Sequence, residues 1–361
     1  MQRTILLLLL ASSLLFTCKS KNTTISRAFY YWQTHFDINE EEQKYMDSLH
    51  VRKLYVRFFD VSYNPVKGAV PLADLYNGIE YYSLCKQCDT IPAIPDSLSL
   101  EIVPTVFITN FTFEKVKLQD IPELASKVYR KLDQMITENT NNRYPKTFRE
   151  IQFDCDWTQS TKEKFFLFLK EFKRNAPKYR ISATIRLYQY KYFEKAGVPP
   201  VDRGMLMVYN LTDLHKLKEQ NSILDIEEAK RYLTHIDYPL SLDIALPIFS
   251  WGIVFRNNKY VDIDRNINSS KAEQCLFLKK NISNQFTITT DTVYNNIYLR
   301  EGDILKIEDI SSSQLEEITK FLKPLSAKTD LTVTFFHLDE ELLQKYKTQD
   351  LERIYTNFSN R

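Results

Sequence analysis

Residues 150–157, EIQFDCDW, are predicted to form a β-strand with two distinct faces. Successive side chains of a β-strand point to opposite faces, so this stretch divides into an apolar set and a polar set. The apolar set is Ile151, Phe153 and Cys155, and the polar set is Gln152, Asp154 and Asp156. An apolar face packs against helices, so we expect both aspartates to point into the interior of a barrel.

Seven further apolar runs of strand length alternate with amphipathic helical stretches, which is the pattern of an α/β protein. The eight predicted strands are 27–33, 53–61, 101–109, 150–157, 180–188, 204–210, 240–248 and 331–337. The predicted helices are Asn39–Leu49, Ile121–Glu138, Thr161–Arg174, Ile226–Ile236, Ser313–Leu322 and Thr348–Asn357. This alternation predicts a closed (β/α)8 barrel of the TIM type, which needs about 250 residues.

We assign residues 27–361 to this barrel, with two insertions. The first is the loop 62–100. The second, 251–310, follows strand seven and is predicted to be a β-rich hairpin or small subdomain. It contains three β-like pieces and a turn, which are Gln274–Leu278, Gln285–Tyr294, Ile297–Leu299 and Glu301-Gly302-Asp303.

The amino terminus predicts export. Arg3 precedes the apolar run 5–16, which has the length of a signal-peptide core and is too short to span a bilayer, so residues 1–17 are predicted to be a signal peptide. Leu15-Phe16-Thr17-Cys18 resembles a lipobox, in which the cysteine becomes the lipid-modified first residue, and residues 18–26 form a polar tether. We expect an exported protein, anchored to the membrane through Cys18 on the periplasmic side or at the cell surface. An ordinary signal peptide with an incidental cysteine is the alternative.

Composition excludes several classes of protein. The 361 residues carry 48 Lys and Arg against 46 Asp and Glu, so no positive excess is present to bind a nucleic-acid backbone. The six glycines form none of the phosphate-binding loops of dinucleotide or nucleoside-triphosphate enzymes. We therefore expect no nucleic-acid partner and no cofactor.

Four cysteines follow Cys18, and two of them form the C-x-x-C pair Cys85 and Cys88. This pair precedes a turn-rich segment, whereas a redox motif needs a helix start, so we expect a small loop disulfide. The five histidines are scattered without H-x-x-x-H spacing, which predicts no zinc or other metal site.

Function in a TIM barrel lies at the carboxyl ends of the strands, so the polar residues there are the candidates. The charged candidates are Asp154, Asp156, Arg186, Arg57 and Asp60, and strand 240–248 adds Asp243. Isolated buried charges are costly, so these groups either pair with one another or bind a ligand. A purely structural network of the two aspartates with Arg57 and Arg186 is the alternative to a ligand site.

Aromatic and amide side chains at the same strand ends suggest a surface for stacking sugar rings. The candidates for binding are Trp32, Gln33, Trp157, Tyr209, Asn210 and Trp251. Ordinary core packing of the aromatic residues is the alternative. His337, followed by Asp339 and Glu340, is either an acid-base group or a structural hydrogen-bond donor.

Two motifs and a tryptophan resemble those of the chitinase-like family 18 glycoside hydrolases. Asp154-Cys155-Asp156-Trp157, Met207-Val208-Tyr209-Asn210 and Trp251 are similar to that family's D-x-D, M-x-Y-[DN] and subsite tryptophan. The chain departs from the family where the acid Glu would stand, which is Thr158, and where the first Asp would stand, which is Ile151.

A closer resemblance, over most of the mature chain, is to a bacterial group of exported barrel domains of unknown function. The residues that carry it are Tyr31-Trp32-Gln33, the strand Gln152–Trp157 and Leu299-Arg300-Glu301-Gly302-Asp303. This resemblance implies the barrel fold and a glycosidase-like ancestry.

These observations leave two functional hypotheses. In the first, the barrel binds a glycan at the ends of its strands. In the second, it hydrolyses glycosides, with Asp156 as an acid whose pKa is raised by burial and Asp154 or Asp60 as the base. Residues two apart in a strand are about 7 Å apart, which fits an inverting pair of carboxyl groups.

Overall fold

The computed structural model describes residues 25–33, 36–74, 100–140, 148–210, 212–218, 221–234, 237–281, 284–327 and 330–359. The signal peptide, Cys18 and the pair Cys85 and Cys88 lie outside these ranges.

Eight parallel strands form a closed barrel, which confirms the predicted fold class. They are β1 (Ile25–Tyr31), β2 (Lys53–Asn64), β4 (Glu101–Ile108), β5 (Glu150–Asp154), β6 (Arg180–Arg186), β7 (Arg203–Met207), β8 (Leu242–Pro247) and β16 (Leu331–Phe336). The first strand closes the ring, because Phe29 is in register with Leu54 of β2 and with Phe335 of β16. The strand β1 starts two residues earlier than predicted, at Ile25.

Helices follow the strands around the barrel. They are α1 (Glu40–Ser48), α2 (Asn110–Lys115), α3 (Ile121–Thr140), α4 (Lys162–Asn175), α5 (Leu187–Lys191), α6 (Phe193–Ala196), α7 (Ile226–Tyr232), α9 (Ser312–Leu322), α10 (Glu340–Leu343) and α11 (Thr348–Ser359), with 3-10 turns at Leu118–Asp120 and Lys323–Ala327. The start of α1 is fixed by a capping box, in which Asn39 accepts from the Glu42 backbone and Glu42 accepts from the Asn39 backbone.

The first insertion begins with a hairpin rather than a loop. The strand β2 continues to Asn64, and β3 (Gly68–Asp74) returns antiparallel to it. Gly68 has a φ of 73°, which favours glycine, and the Asn64 side chain accepts hydrogen bonds from the backbone of Val66 and Lys67.

The second insertion contains a five-stranded antiparallel sheet and a separate two-stranded hairpin. The sheet has the order β10 (Lys259–Asp264), β9 (Trp251–Arg256), β15 (Ile304–Glu308), β12 (Gln285–Ile288), β11 (Leu278–Lys280), and the hairpin pairs β13 (Thr292–Tyr294) with β14 (Ile297–Leu299). The prediction of a β-strand at Gln274–Leu278 is wrong. Gln274 ends a short helix, α8 (Ser269–Gln274), because Asn268 caps that helix by accepting from the Lys271 backbone.

Successive side chains of β5 point alternately toward the surrounding helices and into the barrel interior. Phe153 packs edge-on against Phe168 and Phe172 of α4, in the layer between barrel and helices. Gln152 points into the interior, where it accepts a hydrogen bond of 2.6 Å from the Tyr30 hydroxyl. The polar face therefore lines the interior, as the sequence predicts.

The amino-terminal end of the barrel is closed by buried ion pairs. Lys53 lies 2.9 Å from Glu150, and Arg203 lies 2.7 Å from Asp243, which also accepts a hydrogen bond from the Thr332 backbone. The expectation that Asp243 joins the other candidate charges is wrong, because it is the second residue of its strand and therefore lies at the opposite end of the barrel.

Candidate functional site

A cavity of about 570 Å³ opens at the carboxyl ends of the barrel strands. This is the end at which TIM barrels place their functional residues. The cavity is lined by Trp32, Arg57, Phe107, Asp154, Asp156, Arg186, Met207, Tyr209, Asn210, Phe249, Ser250, Trp251, Arg265, Phe336, His337 and Leu342.

Five aromatic side chains form one continuous wall of this cavity, which we call the aromatic wall: Trp32, Phe336, Tyr209, Phe249 and Trp251. Neighbouring ring centroids along this series are 5.7, 5.5, 5.7 and 5.2 Å apart. These distances are within the range of favourable aromatic contacts. Trp32 and Phe336 are partly exposed, whereas Tyr209, Phe249 and Trp251 are largely buried behind the cavity surface. The wall is thus a packed apolar lining next to charged groups, an arrangement that suits one face and the hydroxyls of a sugar.

Asp154 is the buried carboxyl group of the site. Its side chain is 5% exposed and accepts a hydrogen bond of 2.7 Å from the Thr184 hydroxyl on the adjacent strand. Burial raises the pKa of Asp154, and the nearby Arg186 guanidinium opposes that change. Burial thus disfavours the charged form of this carboxyl group relative to a carboxyl group in water.

Asp156 occupies a different environment, although it belongs to the same face of the same stretch. Its side chain is 53% exposed and forms an ion pair with the Arg186 guanidinium, whose second contact, Nη2 to Oδ2, is 3.2 Å. The expectation of a buried Asp156 acid is therefore wrong. Asp156 lies two residues beyond the end of β5, where the chain leaves the barrel for solvent, whereas Asp154 is the last residue of the strand.

Arg57 and Asp60 form a second ion pair beside the cavity. Residues three apart in a regular strand face opposite sides, so strict alternation would separate them. A β-bulge between Arg57 and Phe59 shifts the register of β2 against β4 and brings both side chains together. The Arg57 guanidinium also lies 5.5 Å from the ring centre of Trp32, so it holds one end of the aromatic wall.

The other end of the aromatic wall is held by the second insertion. The indole Nε1 of Trp251 donates a hydrogen bond of 2.8 Å to Glu308, which is fully buried at the end of β15. Glu308 also accepts from the Ser222 backbone at 2.9 Å and lies 2.7 Å from the buried Lys306 ammonium. The insertion therefore positions a cavity side chain from outside the barrel.

Besides Asp243 and His337, the sequence predicts eleven candidate site residues, and eight of them line this cavity. The three that do not line it are Asp60, Gln33 and Trp157. Asp60 is the ion-pair partner of Arg57. The roles of Asp60, Gln33 and the eight lining residues toward a ligand remain predictions.

Trp157 is a core residue, which corrects its assignment as a binding residue. Its indole is 3% exposed, stacks on Phe165 of α4 with centroids 5.2 Å apart, and donates a hydrogen bond of 3.0 Å to the Ala196 carbonyl. The physical reason is the alternation already described, because Trp157 belongs to the same face as Phe153 and Cys155 and that face meets the helices.

Sequence reasoning missed several residues of the cavity: Phe107, Met207, Phe249, Ser250, Arg265, Phe336 and Leu342. Phe107 and Phe336 lie at strand ends, so the rule that found Tyr209 could have found them. Arg265 follows β10 of the insertion sheet, and nothing in the sequence indicates that this turn reaches the barrel mouth. His337, considered above, also lines the cavity, and burial lowers the pKa of its imidazole.

The part of the chain described by the structure contains no group of three or more His, Cys, Asp or Glu side chains arranged to hold a metal ion. Within the same residues, no helix has both the length and the apolar character needed to cross a membrane.

Comparison with solved structures identifies similar barrels. The spore cortex-lytic enzyme SleL of Bacillus megaterium QM B1551 aligns over 94% of this chain and 75% of its own, with a TM-score of 0.54 and 11% identity. The SleL enzyme of Bacillus cereus aligns over 93% of this chain and 75% of its own, with a TM-score of 0.52 and 12% identity. The GH18 chitinase ChiB of Flavobacterium johnsoniae aligns over 92% of this chain and 94% of its own, with a TM-score of 0.52 and 11% identity.

No protein-family model matches the sequence, and no curated protein matches it. At such low identities, the solved structures show a shared fold. They confirm the predicted TIM barrel and, in fold alone, its distant similarity to a GH18 chitinase.

Proposed function

We propose that this protein binds a glycan in the cavity at the carboxyl ends of its barrel strands. The proposal rests on the aromatic wall, which lines the same cavity as the charged side chains Asp154, Asp156 and Arg186, with the Arg186 guanidinium 6.0 Å from the ring centre of Tyr209. Sugar-binding sites combine such apolar surfaces with a few placed polar groups that receive hydroxyls. The similarity in fold to glycoside-hydrolase-like barrels supports the same assignment.

We also propose that the protein is exported and anchored to the membrane by a lipid at Cys18. The support for this part comes from the sequence, in the signal-peptide pattern of residues 1–17 and the lipobox-like segment that ends at Cys18. A tethered barrel would present its cavity to glycans of the envelope or of the surroundings.

One residue favours binding without hydrolysis. It occupies the position at which family 18 enzymes carry their catalytic acid. That residue is Thr158, whose side chain is exposed and has no acidic proton to donate at neutral pH.

Calorimetry with a panel of neutral and acidic oligosaccharides tests the binding proposal. We expect at least one member to bind, and Trp32→Ala to weaken it about tenfold through loss of the stacking surface. Phe321→Ala is the matched control, because Phe321 is 42% exposed on α9 and does not line the cavity. An equal loss of glycan affinity in the two variants would contradict the assignment of the cavity as the binding site.

The alternative function is glycoside hydrolysis, and one observation favours it. Burial raises the pKa of Asp154, which is the property required of a carboxyl group that donates a proton at neutral pH. In this version Asp154 is the acid and Asp156 is the base, the reverse of the assignment expected from the sequence. Asp154→Asn should then lower turnover by on the order of 100-fold or more, while a protein that only binds shows no turnover in the wild type.

A further inference from the structure

The charges around the cavity are not balanced by one another. Three guanidinium groups line it, from Arg57, Arg186 and Arg265. Arg57 is paired with Asp60 and Arg186 with Asp156. Arg265 is exposed and has no hydrogen bond or ion pair with any residue that the structure describes.

Neither carboxyl group of the cavity is free to neutralise Arg265. Asp156 is already paired with Arg186, and Asp154 accepts its hydrogen bond from Thr184 in a buried position that disfavours its charge. Among the described residues that line the cavity, Arg265 is therefore the guanidinium group without a carboxylate partner.

The turn that carries Arg265 is fixed by its neighbour. The carboxylate of Asp264, which is 5% exposed, accepts one hydrogen bond of 2.9 Å from the Asn266 backbone and another of 2.8 Å from the Asn295 side chain. Both oxygens of Asp264 are thus used to hold the turn. Arg265 is presented toward the cavity on a braced turn rather than on an unsupported loop.

We propose that the cavity selects acidic glycans, with a sugar carboxylate received by Arg265 while the ring packs on the aromatic wall. A guanidinium group matches a carboxylate with two parallel hydrogen bonds, which a sugar hydroxyl cannot reproduce. This inference rests on the proposed function, since it names the class of glycan for the same cavity. Arg265 belongs to the second insertion, so the insertion would supply the selectivity and the barrel the stacking surface.

The test compares acidic oligosaccharides with the same chains after chemical reduction of their carboxyl groups to alcohols. The reduction keeps the rings and linkages and removes the charge. Calorimetric titrations would use oligogalacturonates, oligomannuronates and hyaluronan oligosaccharides, each in both forms. We expect at least one acidic form to bind at least about tenfold more tightly than its reduced form, and this preference to fall as salt is raised, because Arg265 is exposed.

Arg265→Ala should remove the preference by weakening the acidic form about tenfold while leaving the reduced form unchanged. Lys259→Ala is the matched control, because it removes an exposed positive charge from β10, the strand that precedes Arg265, at a residue that does not line the cavity. A preference that survives Arg265→Ala, or that Lys259→Ala also removes, would contradict the role of Arg265. Equal or tighter binding of every reduced form would overturn the inference and leave glycan binding intact, whereas no binding of any sugar would contradict both.

Discussion

Arg186 forms its ion pair with Asp156 and not with Asp154, although both aspartates belong to the same face of one stretch of chain. As a result, two chemically identical side chains have different environments. Asp156 is an ion-paired group at the cavity rim, and Asp154 is a buried group that is hydrogen-bonded to Thr184. Strand alternation alone makes the two residues equivalent, and their depth in the barrel separates them.

The buried position of Asp154 predicts a pH-dependent stability. The folded protein holds the Asp154 proton to a higher pH than the unfolded chain does, because burial raises the pKa of this carboxyl group. The stability that comes from Asp154 is therefore fully present below the unfolded pKa, about 3.9, and is lost as the pH rises through the folded pKa. The Asp154→Asn variant cannot show this loss, because its side chain does not ionise. The difference in free energy of unfolding, variant minus wild type, should therefore increase from pH 3.5 to pH 8.

Urea denaturation across this pH range measures that difference, with Asp262→Asn as the control at an exposed position of β10. A difference between Asp154→Asn and wild type that does not change with pH would contradict the proposed environment of Asp154.

The ion pair at the rim predicts a modest effect on stability. Asp156→Asn leaves the Arg186 guanidinium without its carboxylate, and a fully buried pair broken in this way costs about 3–5 kcal/mol. Because the Asp156 side chain is 53% exposed, water screens the pair, and we expect a loss of about 1–2 kcal/mol in the free energy of unfolding. Denaturation at pH 7 checks this value, and a loss above about 3 kcal/mol would show that the pair is buried.

The contact between Glu308 and Lys306 predicts a larger effect. Both side chains are buried where the insertion sheet meets the barrel, so Glu308→Gln removes a negative partner of a buried ammonium and should cost about 3–5 kcal/mol. The matched control is Glu301→Gln, at an exposed turn of the same insertion. Chemical denaturation of both variants decides the point, and a similar small loss in the two would argue against a stabilising role for Glu308.

The proposed anchor predicts lipid modification. A fatty-acid probe fed to cells that express the full chain should label the wild type and leave Cys18→Ala unlabelled. Cys275→Ala is the control, because Cys275 lies in the insertion and is not part of the lipobox-like segment. An unlabelled wild type would contradict the anchoring proposal and leave the cavity argument unaffected.

Periodicity predicted the barrel because its strands obey local rules. The apolar runs and helical stretches marked all eight parallel strands within a few residues, and the polar face of residues 150–157 pointed inward as alternation requires. The same rule places Trp157 on the face that meets the helices, so alternation itself predicts a core position for Trp157. The β-bulge beside Arg57 shows the opposite case, in which a local irregularity brings together residues that alternation separates.

Tertiary packing decided the parts of the site that the sequence did not indicate. Arg265 reaches the cavity through a turn of the insertion sheet, and that sheet is tied to the rest of the protein by buried contacts such as Glu308 with the Ser222 backbone. That contact joins residues 86 apart in the sequence, which no local pattern reports. The depth that separates Asp154 from Asp156 is likewise a property of the closed barrel.

A crystal structure of the protein with a bound oligosaccharide would show whether the cavity is the glycan-binding site. We expect sugar density in the cavity, with a ring on the aromatic wall and hydroxyls within hydrogen-bond distance of Asp156 or Arg186. Density for a sugar that binds in solution but occupies another surface, with the cavity empty, would contradict glycan binding in the cavity.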